Sequence, residues 1–108
     1  MRPRDKFLLL WRAASGPQLQ EEYRFHPKRK WRADFRYESK RLGPIHIEIE
    51  GGIWLGRNAR HTSGVGYWKD CEKYNEACLM GIKVIRLAGP LINHEYVERL
   101  AGWIRGGS

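Results

Sequence analysis

The chain has 108 residues, with 20 Lys+Arg against 12 Asp+Glu and a formal net charge of +8. That length fits one domain over residues 1–108, and a hydrophobic content of 42% is too high for a disordered polycation. A small, basic, folded domain most often meets a polyanion, usually nucleic acid. The apolar run Phe7-Leu8-Leu9-Leu10-Trp11 near the N-terminus is too short for a membrane span or a signal-peptide core, so the expectation is no membrane partner and a cytoplasmic location. Cys71 and Cys78 lie about 10 Å apart along a helix axis, too far to pair with each other. With no CxxC and no second cysteine pair, a zinc finger or ribbon is excluded.

Taken in chain order, residues 5–14 read as a short helix closed by Ser15-Gly16-Pro17. Residues 20–26 read as a strand, ended by Pro27, which opens the basic loop Lys28-Arg29-Lys30. Residues 31–38 alternate strictly, with Trp31, Ala33, Phe35 and Tyr37 on one face and Arg32, Asp34, Arg36 and Glu38 on the other. After a polar turn, Ser39 to Pro44, residues 45–50 alternate again. Three isoleucines face a core, opposite His46, Glu48 and Glu50, and the two segments suit an antiparallel hairpin centred near 40–41. Residues 53–65 read as a polar, glycine-flanked loop. Residues 66–80 read as a helix with Trp68, Cys71, Tyr74, Cys78 and Leu79 buried and Lys69, Glu72, Lys73 and Glu76 wet, capped by Gly81. A strand over 82–87 and a helix over about 91–104, opened by Pro90, complete the order αβββαβα. The helix between two strands implies a crossover and a parallel pair, hence a small mixed sheet flanked by helices, an α/β fold.

The chemistry candidate is Asp34 with Glu48 and Glu50. Residues i and i+2 of a strand project from the same face about 7 Å apart, and the hairpin brings Asp34 near Glu48. Carboxylates gathered this closely repel one another, and oxygen-only ligands favour Mg²⁺ or Mn²⁺ as compensation. The alternative is cross-strand pairing of these acids with Arg32, Arg36 and His46 on the same face. The charge asymmetry supplies context: residues 1–44 carry a net +7 and residues 45–108 a net +1. Arg24, Lys28, Arg29, Lys30, Arg32 and Arg36 are placed to hold phosphates beside the acids, and Arg57 and Arg60 to clamp from the loop. Alternatively the loop is solvated surface, and Lys69 and Lys73 are exposed charge pairs. Trp31 and Trp68 read as core residues and Trp54 as a DNA contact.

Asp34, followed by Glu48-Ile49-Glu50-Gly51-Gly52 at a strand end, resembles the PD-(D/E)XK nuclease superfamily, with its restriction-endonuclease-like core. The basic segment, the His-containing loop and the Gly-led strand Gly81-Ile82-Lys83-Val84-Ile85-Arg86-Leu87 are similar to those of small very-short-patch-repair-like endonucleases. The likeness covers residues 21–104. It implies Asp34 and Glu48 as metal ligands and a Mg²⁺-dependent, or Mn²⁺-dependent, DNA endonuclease that leaves 5′-phosphate and 3′-hydroxyl ends. It also implies a role in DNA repair in a bacterial cell, cell-encoded or phage-encoded. Glu50 stands where the superfamily pattern has Lys. Lys73 or Lys69 replaces that lysine, or Glu50 is a further ligand. His61 matches a loop histidine that would act as general acid or base. Glu22 is a weaker candidate for a fourth carboxylate. One site per chain makes one nick, so cutting both strands requires a homodimer. A Holliday-junction resolvase and a non-catalytic DNA-binding or regulatory module on the same fold are the alternatives.

Overall fold

The computed structural model describes residues 1–50 and 65–106. Its elements are α1 (Pro3–Ala13), β1 (Gln20–Arg24), β2 (Arg32–Ser39), β3 (Gly43–Glu50), α2 (Val65–Leu79), β4 (Lys83–Ala88), a 3₁₀ turn (Gly89–Leu91) and α3 (His94–Arg105). The four strands form one sheet in chain order, antiparallel across β1–β2 and β2–β3 and parallel across β3–β4. The parallel pair needs the chain to cross over, and α2 lies on that crossing. The expected order αβββαβα and the mixed sheet flanked by helices are the observed architecture. Among the described residues no helix is long and apolar enough to cross a membrane.

The alternation in β3 sorts its side chains between two layers. Ile45 and Ile47 enter the main core with Phe35 of β2 and Leu87 of β4, under Phe7 and Trp11 of α1 and Val97, Leu100 and Ile104 of α3. Each such apolar side chain contributes about 1.5–3 kcal/mol by leaving water. Gly16 follows from this packing: a Cβ there would fall 2.1 Å from the Trp11 ring, whose Nε1 donates to the Pro17 carbonyl at 2.7 Å. The opposite layer is smaller, with Phe25, Ala77 of α2 and Ile82 in contact and Tyr23, Trp31 and Val84 beside them.

Three local expectations are corrected. In α2 the buried residue is Ala77, while Trp68, Cys78 and Leu79 are exposed. The sheet face under this helix is polar, so α2 turns Lys73, Tyr74 and Ala77 inward in place of its most apolar stripe. Trp31 precedes β2 and packs with Phe25 on the minor cluster, not with Phe35 in the main core. Pro90 opens only the 3₁₀ turn, and α3 begins after Asn93, whose Oδ1 accepts from the Tyr96 N–H at 2.8 Å. The expected cap of α2 is present: Gly81 has φ +80°, and the Ile82 N–H returns to the Ala77 carbonyl at 3.0 Å.

Candidate active site

Sheet register sets a row of charge across the four strands. Glu21↔Phe35 and Tyr23↔Ala33 bracket Glu22 opposite Asp34. The β2–β3 pairing runs as far as Phe35↔Ile47, the step before Asp34 and Glu48, and Glu48 pairs with Arg86 of β4. At Asp34 a side chain takes over a backbone role: its Oδ2 accepts the Ile49 N–H at 2.7 Å. That bond fixes the carboxylate beside β3.

Glu48 is the centre of the row. It is only 4% exposed, beneath α2, and Lys73 Nζ donates to its Oε1 at 3.1 Å. Burial pushes its carboxyl up to about 7; the charge of Lys73 opposes the rise, that of Asp34 adds to it, and the Asp34 backbone N–H opposes it. A buried carboxyl poised near neutrality beside a lysine marks a candidate functional site. Lys73 is therefore not a solvated surface charge. Of the two lysines that the sequence offers to replace the missing motif lysine, Lys73 is the one bonded to Glu48.

Glu50 faces a different partner. Its Oε1 accepts from Arg86 Nε at 2.8 Å, and Tyr74 Oη donates to its Oε2 at 3.4 Å. The Arg86 guanidinium also lies 4.1 Å over the Tyr74 ring. Burial pushes the Tyr74 phenol up, and the Glu48 and Glu50 carboxylates push it further. The three acids are thus not gathered as one ligand set: Lys73, Arg86 and Arg4 divide them. Among the described residues no group of three or more His, Cys, Asp or Glu is placed to hold a metal ion.

Asp34 and Glu48 nevertheless fit a hard divalent cation. They are oxygen-only donors on neighbouring strands, Asp34 is bonded to the residue next to Glu48, and the Asp34 charge already helps to raise the Glu48 carboxyl. A cation between them relieves that repulsion, and Mg²⁺ is commonly held by one or two carboxylates with water and phosphate oxygens completing its shell. Glu50 is not needed for that coordination.

The basic residues divide as well. Arg24, Lys28, Lys30 and Arg32 are exposed. Arg29 lies 4.1 Å over the Trp31 ring and pairs with Glu72 at 3.1 Å. His26 shapes this loop: its Nδ1 accepts the Lys28 and Arg29 backbone N–H groups, which leaves Nε2 to donate to Glu76 Oε1 at 2.9 Å. Arg36, grouped with the phosphate contacts by its strand position, is instead enclosed. It donates to His46 Nε2 at 2.8 Å and lies 4.4 Å over the Tyr23 ring. A guanidinium only donates, so His46 is the Nδ1–H tautomer. Burial pushes His46 down to about 4, with Arg36 and Lys73 adding to the fall.

Arg57, Arg60, His61, Trp54 and the Gly51-Gly52 pair lie outside the described residues. Arg4, Tyr74 and Arg86 carry contacts in the site that the sequence reading did not assign to it. Arg86 had a readable signal, a lone charge within the apolar run 84–87. Arg4 had none, because its partners are at least 17 residues away in the chain. No family model, curated protein or solved structure matches the chain.

Proposed function

We propose that this chain is a Mg²⁺- or Mn²⁺-dependent DNA endonuclease on a restriction-endonuclease-like core. The observation that carries the reading is Glu48: a buried carboxyl bonded to Lys73 and close to Asp34, in a chain whose β1–β2 segment carries exposed basic side chains. A divalent cation bound there would polarise a phosphoryl oxygen and lower the pKa of a coordinated water.

The protein's own groups have separable roles in this reading. Asp34 is held by the Ile49 N–H, which leaves Oδ1 for the cation. Glu48 supplies the second carboxylate, and Lys73 favours its charged form against burial and orients it through Oε1. Lys73, the lysine bonded to Glu48, would take the part of the motif's lysine and orient the attacking water. Arg24, Lys28, Lys30 and Arg32 hold the DNA backbone by charge, without reading sequence. Arg86 neutralises Glu50 and so limits the negative charge that an incoming phosphate meets.

A second reading has support of its own. Each acid already has a cationic partner, as expected of a DNA-binding module that has no chemistry to perform. Incubation of purified protein with supercoiled plasmid in Mg²⁺, Mn²⁺ or EDTA separates the two. The endonuclease reading expects nicking with either metal, none with EDTA, and loss of nicking in Asp34→Ala and Glu48→Ala. Wild-type protein that shifts DNA yet leaves plasmid uncut in both metals establishes the binding module instead.

A further inference from the structure

Asp34 has a neighbour that the reaction above does not use. Arg4 lies in the first turn of α1, the helix that packs on the sheet face opposite α2. Its guanidinium reaches Glu21 Oε1 at 2.8 Å, Glu22 Oε2 at 3.0 Å and Asp34 Oδ1 at 3.8 Å, with Cζ 4.4 Å over the Phe35 ring. One cation therefore serves three carboxylates from two strands. Burial opposes its charge, but the bond to Glu21 and the fields of Glu22, Glu21 and Asp34 outweigh burial and hold its pKa above the ordinary arginine value.

The three contacts are unequal. Those to Glu21 and Glu22 are within hydrogen-bond distance, whereas 3.8 Å to Asp34 is an ion pair without a hydrogen bond. Asp34 Oδ2 is engaged by the Ile49 N–H, so Oδ1 is the oxygen left for a divalent cation, and Oδ1 is the atom that Arg4 faces. A guanidinium and a divalent cation cannot both take that oxygen without strong mutual repulsion in a half-buried setting.

We propose that Arg4 is the internal counter-ion of the Asp34 carboxylate, neutralising it before a divalent cation binds and competing with that cation for Oδ1. When a cation loads, Arg4 gives up its loosest contact and stays anchored on Glu21 and Glu22. Arg4 is thus a positioning residue that sets the threshold for metal loading. The inference rests on the reading of Asp34 as a cation ligand.

The test is calorimetric titration of Mn²⁺ alone into full-length wild type, Arg4→Gln and Asp34→Asn. Removing a competing charge at this distance is expected to tighten Mn²⁺ binding roughly tenfold in Arg4→Gln. Asp34→Asn is expected to lose binding. Arg4→Gln that binds no tighter than wild type, while Asp34→Asn loses binding, overturns the role of Arg4 and leaves the metal site standing. Asp34→Asn that binds as wild type does overturns the metal site, and the role of Arg4 with it. Wild-type protein gives an independent readout should Arg4→Gln not fold. The Arg4 Nε–H resonance is expected to shift in step with Mg²⁺ saturation, and a resonance unmoved at saturation overturns the proposal.

Discussion

Ile45 and Ile47 of β3 point into the layer of α1 and α3, while His46 and Glu48, one residue away, point under α2; all four are buried. On the first face burial stabilises the fold directly, because apolar groups leave water and meet only apolar neighbours. On the second face burial is costly: Glu48 is pushed toward its neutral form, His46 is held neutral, and Lys73 and Arg36 offset part of the cost. The contrast teaches that one strand can carry stability on its odd residues and chemistry on its even ones. It also gives a way to separate the two. Ile47→Ala is expected to destabilise the protein by about 2–5 kcal/mol in urea unfolding. Glu48→Gln, buried as deeply, is expected to keep its stability near pH 7 and to lose roughly a hundredfold or more of metal-dependent nicking. Equal destabilisation by the two substitutions breaks the contrast.

The apolar face was also the legible one. Period-two alternation in 31–38 and 45–50 puts Phe35, Ile45 and Ile47 in the core before any contact is known, because a strand has only two faces and water selects between them. The hairpin register followed from the same pattern, with Ser39↔Gly43 closing the turn near the expected centre. The polar face was legible only in part. Asp34 and Glu48 were expected near each other, and the Asp34 carboxylate accepts the N–H of Ile49, the residue next to Glu48. Their partners were harder to read, since Arg4, Lys73 and Arg86 come from three other elements and which acid each one takes is decided by packing. The misread stripe of α2 has the same origin: hydrophobic periodicity assumes an apolar sheet beneath a helix, and here that surface carries His46, Glu48 and Glu50.

The polar face has a pH signature that sharpens the contrast. Glu48 titrates near 7 when folded against an ordinary 4.5, so folding takes up a proton; its contribution is complete below pH 4.5 and is lost as pH rises toward 7. His46 titrates near 4 when folded against 6.5, so its contribution is complete above pH 6.5 and is lost as pH falls toward 4. Between pH 4.5 and 6.5 the two slopes oppose each other at about 1.4 kcal/mol per pH unit each. Their sum is close to flat in wild type. Glu48→Gln leaves His46 unopposed, so stability is expected to rise by about 2–3 kcal/mol across that window. His46→Gln leaves Glu48 unopposed, and stability is expected to fall by a similar amount. Urea unfolding at stepped pH reads both, and parallel profiles for the two variants would remove the idea that the pair is balanced.

The smallest expected effect distinguishes two arginines on one strand. Arg32 and Arg36 share a face by alternation, yet Arg32 is exposed, and Arg36 is enclosed against His46 and the Tyr23 ring. An exposed cation touching a phosphate acts through counterion release, so its removal is expected to lower the slope of log affinity against log salt by about 0.9. Arg32→Ala should show that change in DNA-binding titrations, with stability altered by less than about 0.5 kcal/mol. Arg36→Ala should leave the salt slope unchanged and cost about 1–3 kcal/mol of stability, because it leaves His46 buried without its donor. If Arg36→Ala instead lowers the slope, Arg36 turns outward to meet the phosphate, and the polar face opens when DNA binds.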